Sequence, residues 1–358
     1  MKNGTTQLLA NGACRKKKSK RLTTPRQRKL RKSDHVFTLG IEEEFQIIDP
    51  ETRELRSHIQ QILADGKMIL QEHVKPAAAG THPFSHWMDQ LITAHERYTA
   101  IVKDMQQVAR CNLIFGLHVH VGIPDREEAI DIMNQARYFL PHLYALSVNS
   151  PFWLGQNTGL KAYRQMIFER FPRTGIPDAF ESLSEYEDYL KLLAATKCID
   201  NPKKIWWDIR LHPFFDTIEF RICDAQSRVD GTIALAALMQ AIVFKLQKLR
   251  RNNVTFRSYP KRLIDENRWR ASRYGLDGKL IDFGRKREVD ERNLLEEMLE
   301  FVSDEVSELG NEREVQHIER IMREGTGADR QLMVWDRTQD IKAVVDQIVA
   351  ETNEGLVL

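Results

Sequence analysis

The sequence predicts an α+β fold built on an antiparallel β-sheet. Segments rich in β-branched and aromatic residues occur in hairpin-like pairs, most clearly "KIWWDIRLHP" and "FDTIEFRICD" between Lys204 and Asp224. Segments with helical spacing are grouped around these pairs, whereas a doubly wound parallel sheet would alternate single strands with helices. Neither a P-loop motif nor a G-x-G-x-x-G motif is present, which excludes P-loop kinases and dinucleotide-dependent oxidoreductases.

The predicted elements follow one another in a simple order. The apolar run that begins at Thr38 predicts a first strand, and the turn signal at Asp49-Pro50 predicts a hairpin. The capping-box spacing of Asp125 and Glu128 predicts a helix over 125–150, bent or broken near Pro141. The other expected elements are a helix (84–110), a strand (111–124), an irregular segment that becomes helical (150–177), two strands (204–213 and 215–224), a mostly apolar, buried helix (231–251) and two amphipathic helices (287–309 and 338–353).

Composition predicts a soluble, cytoplasmic globular protein. The chain has 358 residues, of which 42% are hydrophobic, and no apolar run reaches the roughly 18 residues that span a bilayer. The N-terminal segment lacks the charge pattern of a signal peptide. Four cysteines without C-x-x-C spacing are typical of reduced thiols in a cytoplasm: Cys14, Cys111, Cys198 and Cys223.

The N-terminal segment 1–34 is strongly basic. It contains Lys2 and eleven further Lys or Arg residues up to Lys32 but no acid before Asp34, while acidic residues outnumber basic ones in the rest of the chain. Such a run repels itself and cannot bury apolar surface, so we expect a disordered tail followed by a single domain over 35–358. The tail could contact nucleic acid or anionic lipid by charge alone, and a solvated leader fits equally well.

Three consecutive carboxylates lie within the first predicted strand. Because side chains alternate along a strand, Glu42 and Glu44 share one face, while Glu43 shares the other with Leu39 and Ile41. Two neighbouring carboxylates on one face repel each other unless a cation lies between them. The pattern therefore indicates a cation site, although a solvated acidic face would give the same pattern.

The other predicted strands also carry one apolar and one polar face. The polar side chains are of ligand-forming or phosphate-binding types: His118, His120, Asp208, Arg210, His212, Glu219 and Arg221. Each pair alone has an ordinary explanation, such as a structural H-x-H or a surface ion pair. Together, glutamates and imidazoles favour Mg²⁺ or Mn²⁺ over zinc, and arginines beside a divalent cation indicate phosphate chemistry. Ligases that hold ATP on a sheet through metal ions fit this description.

Seven motifs match one family in order and spacing: "GIEEEFQIIDPETREL", "AAAGTHPF", "GLHVHVGIPD", "NSPFWLGQNTGLKAYR", "RTGIP", "WWDIRLHPFFDTIEFRICD" and "ENRWRASRYGLDG". In these motifs, from about residue 36 to near the C-terminus, the chain resembles the glutamate–cysteine ligase type 2 family of carboxylate–amine ligases. The resemblance implies a glutamine-synthetase-like fold, in which a curved antiparallel sheet forms a funnel with helices outside. It also implies ATP, Mg²⁺ or Mn²⁺, amino-acid substrates and a homodimer.

The family's activity implies a two-step reaction. A carboxylate attacks the γ-phosphate of ATP, and an amine then displaces phosphate from the acyl phosphate to form an amide, with glutamate and cysteine as the default substrates. The resemblance implies that Glu42, Glu44, His118 and Glu219 are metal ligands. It also implies that His120 lies beside these ligands and that Arg221 holds the phosphoryl group during its transfer.

Five further residues are candidates for binding ATP or substrate. Arg210 shares the polar face, and Arg164 could hold the substrate carboxylate or be a solvated helix charge. His82 could line the site or pack beside Pro83. Asn267 and Arg273 are expected to close over the pocket.

The chain departs from the family between Pro76 and Ala77. Family members usually carry a further helix and strand here, with another glutamate that resembles a metal ligand. Either this chain lacks that segment or the sequence omits residues at this point, and we favour omission because a deletion would remove a metal ligand. A true deletion would favour a binding or regulatory protein that kept the fold without turnover. A metal-dependent amide hydrolase would use the same ligands without ATP.

Overall fold

The computed structural model of the protein describes residues 36–56, 74–91 and 96–355. The predicted basic tail, Cys14, the first hairpin beyond Arg56 and part of the predicted helix 84–110 lie outside these ranges. Within them, the predicted turn of the hairpin is confirmed by the antiparallel bridge between Ile48 and Leu55. The family resemblance and the strand pattern can therefore be compared with the structure over nearly all of the predicted domain.

A four-stranded antiparallel sheet is the centre of the described structure, which confirms the antiparallel prediction. Its spatial order is β1–β4–β10–β9, with strands Leu39–Glu43 (β1), Leu117–Gly122 (β4), Thr217–Phe220 (β10) and Ile209–Leu211 (β9). The register pairs Glu42 with His118, His120 with Glu219, and Glu219 with Arg210. Side chains from strands far apart in the sequence thus become neighbours on one face.

Short strand pairs and many helices surround this sheet. The remaining strands are Gln46–Ile48 (β2), Lys75–Ala77 (β3), Phe152–Trp153 (β5), Gln156–Asn157 (β6), Thr174–Gly175 (β7), Trp206–Trp207 (β8), Lys279–Asp282 (β11) and Arg287–Asp290 (β12). The helices are Glu96–Met105 (α1), Gln107–Arg110 (α2), Arg126–Ala136 (α3), Leu140–Ser147 (α4), Arg164–Phe168 (α5), Leu183–Ala195 (α6), Val229–Arg251 (α7), Lys261–Tyr274 (α8), Glu291–Phe301 (α9), Ser303–Leu309 (α10), Glu312–Glu324 (α11), Gly327–Thr338 (α12) and Ile341–Thr352 (α13).

Helices cover the apolar face of the sheet. Val119, Ile209, Ile218 and Phe220 are fully buried on the apolar face, where α3 and α7 pack. Burying one such side chain stabilises the fold by about 1.5–3 kcal/mol. By length and composition α7 could also cross a membrane, but two thirds of its apolar window is buried in this core.

One helix prediction was wrong in detail, and another was confirmed. The predicted helix 287–309 begins with strand β12, which pairs with β11, and only then continues as α9 and α10. The predicted interruption of the helix 125–150 near Pro141 is confirmed, because a 3₁₀ turn at Arg137–Phe139 separates α3 from α4. At the start of α3, the Asp125 carboxylate accepts hydrogen bonds from the backbone N–H groups of Glu127 and Glu128.

The chain runs directly through the point at which family members have an additional segment. The sequence passes from Pro76 to Ala77, and β3 spans that bond while pairing with β2. The favoured interpretation, omitted residues, is therefore wrong for this sequence, and the segment is absent from the chain. Beneath β3, Ile48 and Ala77 pack with α12 and α13 in a second apolar cluster.

Candidate active site

The polar face of the sheet brings together side chains from β1, β4 and β10. Glu42 lies 3.7 Å from both histidines, through Oε2 to His118 Nδ1 and through Oε1 to His120 Nε2. Glu219 Oε1 lies 3.9 Å from His120 Nε2, and the Arg221 guanidinium contacts Glu219 and lies 3.4 Å from His118 Nδ1. We call these five residues the sheet cluster.

Two arginines hold Glu219 ionised within the sheet cluster. Arg210 Nε donates to Glu219 Oε2 at 2.7 Å, and Arg221 contacts the other carboxylate oxygen. Burial alone would favour the neutral acid, but the two guanidinium groups outweigh it and hold the pKa of Glu219 well below its usual range. Arg210 was predicted to bind substrate, but its guanidinium orients Glu219 instead. It also donates hydrogen bonds to the carbonyl oxygens of Lys203 and Ile205, which fix its position.

Both histidines of the sheet cluster are neutral at physiological pH. Burial and the nearby Arg221 charge lower the pKa of His118 to about 3, and burial lowers the pKa of His120. His120 Nδ1 contacts Thr217 Oγ1 at 3.1 Å, while His120 Nε2 is buried without a hydrogen-bond partner in the described structure. A neutral ring nitrogen that faces two carboxylates is available to accept a proton donor or a cation.

The donor set of the sheet cluster fits a hard divalent cation, although its spacing is slightly too wide. In the described residues, no group of three or more His, Cys, Asp and Glu side chains is close enough to hold a metal ion without movement. Ligands of one octahedral Mg²⁺ ion, each about 2.1 Å away, lie about 3 Å apart. The separations of 3.7 and 3.9 Å around His120 Nε2 therefore close to that value with shifts of less than about 1 Å.

Glu44 does not join Glu42 as the alternation predicted. Strand β1 ends at Glu43, and Glu44 Oε2 beyond it accepts a hydrogen bond of 2.7 Å from the Gly116 backbone N–H. Glu43 does occupy the opposite face, where its Oε1 accepts hydrogen bonds from Thr232 Oγ1 and the Gln226 N–H. The expected pair of carboxylates around one cation is therefore not what the structure shows.

Arg164 is buried, so the alternative of a solvated helix charge is wrong. It is 2% exposed, and its terminal nitrogens donate to the carbonyl oxygens of Arg221 and Ile222. Its Nε is buried without a hydrogen-bond partner in the described structure. The Arg164 guanidinium lies beside Gly116 and is held next to the end of β10 by these bonds.

The side chains of three other candidates interact with nearby parts of the protein. His82 is fully buried, accepts hydrogen bonds from the Phe84 and Ser85 N–H groups, and contacts the Arg53 carbonyl, which favours packing over lining a site. Asn267 exchanges two hydrogen bonds with the backbone of Ile281. Arg273 lies over the ring of Tyr274, its neighbour on α8.

Two clefts are lined in part by β1 or by the residue that follows it. The first, about 550 Å³, is called the Phe215 cleft, and its lining includes Thr38, Gly40, Glu42, His120, Phe214 and Phe215. The second, about 640 Å³, is called the Trp206 cleft, and its lining includes Glu44, Trp87, Tyr98, Asn112, Phe171 and Trp206.

Sequence reasoning missed Thr217, Phe214 and Phe215. Thr217 shares the polar face of β10 with Glu219, so alternation alone could have identified it. The two phenylalanines lie in the β9–β10 turn, where they are 60% and 57% exposed. Exposed aromatic rings beside a polar cluster are unusual enough to be a signal, but their exposure cannot be read from the sequence.

Comparison with known proteins identifies the family. Residues 52–347 match the model of Glutamate-cysteine ligase family 2. The chain belongs to this family. A protein from Solibacter usitatus named "Putative glutamate--cysteine ligase 2" is 53% identical, with 89% of this chain and 94% of that protein aligned. A protein of the same name from Chloroflexus aurantiacus is 51% identical, with 90% and 94% aligned.

The alignments show that the relatives are longer inside the shared region. The Solibacter alignment runs over 363 positions, more than the 358 residues of this chain, although it includes only 89% of them. Several tens of positions in that relative therefore have no counterpart in the chain. This difference agrees with the direct passage from Pro76 to Ala77.

Two solved structures share the fold of this family member. A glutamate–cysteine ligase from Francisella tularensis, solved in complex with AMP, superposes with a TM-score of 0.61 over 88% of this chain and 89% of that chain, at 10% identity. A bifunctional glutathione synthetase from Pasteurella multocida gives a TM-score of 0.58 over 80% of this chain and 43% of that chain, at 12% identity. At such identities the likeness supports the mixed helix-and-sheet fold alone.

Proposed function

We propose that the protein is an ATP-dependent carboxylate–amine ligase that forms an amide through an acyl phosphate, with glutamate as carboxylate substrate and γ-glutamylcysteine as the default product. The observation that carries this proposal is the sheet cluster, in which Glu42, His118, His120, Glu219 and Arg221 converge on one face of the sheet. Membership of a glutamate–cysteine ligase family supports the same reaction class.

The sheet cluster and the Phe215 cleft support a position for ATP. The triphosphate of ATP would lie over the sheet cluster, with its base in the Phe215 cleft. Cleft volumes of 300–1,000 Å³ are typical of small-molecule sites. Arg221, which contacts His118 and Glu219, would neutralise charge on the transferred phosphoryl group.

The proposed reaction has two steps, formation of an acyl phosphate and its conversion to an amide. A carboxylate oxygen of glutamate attacks the γ-phosphorus, and ADP leaves with the electron pair of the broken P–O bond. The nitrogen of a neutral amine then attacks the acyl carbon, inorganic phosphate leaves with the C–O electron pair, and one N–H proton is released to water. Arg221 and Arg210 keep Glu219 ionised throughout, and buried His118 and His120 stay neutral.

Glu42, Glu219 and His120 would hold Mg²⁺ or Mn²⁺, which when bound supplies positive charge to the phosphate oxygens. The proposal extends to the glutamine-synthetase-like funnel, a homodimer and a cytoplasmic location, as the family resemblance implies. Size-exclusion chromatography with light scattering tests the dimer directly.

Release of ADP tests the proposal. With Mg²⁺, ATP and glutamate, we expect ADP release that increases on adding a panel of amines and disappears in Glu219→Gln. The matched control is Glu312→Gln, an exposed acid on α11. Release of ADP by Glu219→Gln at the wild-type rate contradicts the assigned role.

A second candidate function is a binding protein that keeps the fold without turnover. It is favoured by the positions that the aligned relatives have and this chain lacks, and by Glu42, whose side chain is 65% exposed at the edge strand β1. Such a protein would bind ATP in calorimetry yet release no ADP with any amine. The same ADP assay therefore separates the two functions.

A further inference from the structure

The Trp206 cleft is related to the sheet cluster through Glu44. Glu44, in its lining, follows Glu42 by two residues, and its N–H donates to the Gly116 carbonyl at 3.2 Å. Gly116 in turn precedes His118 by two residues on the neighbouring strand. Two residues of extended chain span about 7 Å, so the cleft opens about one small substrate's length from the proposed phosphate position.

The walls of the Trp206 cleft are mainly apolar and aromatic. Trp206 and Phe171 form one wall, with their rings edge to face and their centroids 5.4 Å apart. Trp87, Met88 and Ile101 line it from the other side. Burying an aromatic or branched aliphatic group here removes apolar surface from water, whereas the small side chain of cysteine would leave most of the 640 Å³ unfilled.

Two hydrogen-bond acceptors face this apolar cleft. One is the carboxylate of Glu44, held in place by the Gly116 N–H. The other is Asn112 Oδ1, which is buried without a hydrogen-bond partner in the part of the chain that the structure describes. The lining also contains the possible donors Gln90, Gln107 and Arg110. The two acceptors suit a ligand that brings N–H groups, and the Glu44 carboxylate suits one that is positively charged.

We propose that the Trp206 cleft binds the amine substrate, and that this amine is a primary amine with a large apolar or aromatic group. The inference rests on the proposed ligase function. The ammonium group lies between Glu44 and Asn112, and the apolar group lies against Trp206 and Phe171. After losing a proton, the nitrogen faces the sheet cluster, where the acyl phosphate forms.

Amine competition tests the substrate class. Wild-type enzyme with Mg²⁺, ATP and glutamate is given cysteine, phenethylamine, tyramine or isoamylamine, and ADP release and amide formation are measured. We expect at least a tenfold higher kcat/KM for an aromatic or branched amine than for cysteine. A preference for cysteine over all of these amines overturns the inference while leaving the ligase function in place.

Two variants test the location. Glu44→Gln should raise the KM for the amine about tenfold while leaving the KM for ATP unchanged, because the Gly116 hydrogen bond to a side-chain oxygen is kept. Ile101→Trp, at a half-buried position of α1, should fill the cleft and shift the preference towards small amines. Unchanged amine KM values in both folded variants overturn the inference.

Direct binding separates this inference from the proposed function. Calorimetric titration of phenethylamine into the wild-type protein needs no turnover, and we expect binding that Ile101→Trp weakens. Binding without any ADP release would support the cleft and contradict the ligase. ADP release with cysteine but no phenethylamine binding would support the ligase and contradict the cleft.

Discussion

His120 on β4 and Glu219 on β10 are directly paired across the sheet, with 3.9 Å between His120 Nε2 and Glu219 Oε1. One partner is a neutral imidazole and the other a carboxylate held ionised by two arginines. A neutral ring nitrogen with a free electron pair, beside a fixed negative charge, can bind a divalent cation or accept a hydrogen bond from a ligand. Pairing register, rather than nearness in sequence, creates it.

Thr217 lines the Phe215 cleft and should matter for activity chiefly because it orients His120. Thr217→Val removes the contact between Thr217 Oγ1 and His120 Nδ1, so the ring loses the partner that fixes its orientation. We expect ADP release to fall roughly 10- to 100-fold, as for other residues that orient a ligand, with a change in the free energy of unfolding below about 1.5 kcal/mol. Thr217→Ser keeps the hydroxyl and should keep most of the activity; equal losses in both variants would point to a packing role.

The Phe215 cleft predicts a base-stacking contribution to nucleotide affinity. One face of the Phe215 ring stacks on His212 with centroids 4.4 Å apart, and the ring as a whole is 57% exposed. Stacking of a base on an aromatic side chain is worth about 1–3 kcal/mol, so Phe215→Ala should weaken ATP binding by about tenfold or more. Calorimetry with ATP and with tripolyphosphate checks this, since tripolyphosphate has no base and should bind both proteins equally. Phe215→Tyr is the matched control, and an equal loss for both ligands would contradict stacking.

Alternation along strands explains what the sequence could predict. His118, His120, Glu219 and Arg221 share a face because the strands are regular, and the apolar residues between them are buried in the core. The rule fails for Glu44, because β1 ends one residue earlier and alternation no longer applies.

Other errors have local causes. His82 and Asn267 are polar residues in strong motifs, but the backbone of a turn and of β11 satisfies them, and sequence alone does not distinguish such a role from ligand binding. The charged run Arg287–Asp290 has no apolar face of its own, and its pairing with β11 makes it a strand.

Asp224 should make stability depend on pH. Burial raises the pKa of Asp224 to about 6 from an ordinary value of 3.8. Because the folded-state pKa is the higher one, its contribution to stability is complete below pH 4 and is lost as the pH rises to about 6, an effect of about 3 kcal/mol. Asp224→Asn cannot ionise, so its stability relative to wild type, measured by urea unfolding, should increase from pH 4 to pH 7.

Asp49 provides a control of opposite sign for that experiment. Hydrogen bonds from the Thr52 and Glu51 N–H groups and the charge of Arg56 hold the pKa of Asp49 below its usual range. Its contribution is present above the ordinary pKa and is lost as the pH falls through the lower folded value. Asp49→Asn should therefore lose stability relative to wild type as the pH rises through that range, and parallel trends in the two variants would contradict these assignments.

Gly116 should not tolerate a side chain, because Arg164 occupies the space beside it. A Cβ at Gly116 would lie 2.8 Å from Arg164 Cζ and closer still to Nη2, and the guanidinium is fixed by its bonds to the carbonyl oxygens of Arg221 and Ile222. Overpacking of this kind costs about 1–3 kcal/mol, so Gly116→Ala should lower the free energy of unfolding by that amount in urea titrations.

Gly231→Ala in the first turn of α7 is the matched control. Its Cβ would meet only ordinary contacts at 3.5 Å or more, and alanine favours a helix over glycine by up to about 1 kcal/mol, so that variant should be neutral or more stable. Equal destabilisation of the two variants would show that Arg164 moves aside freely and does not fix the end of β10.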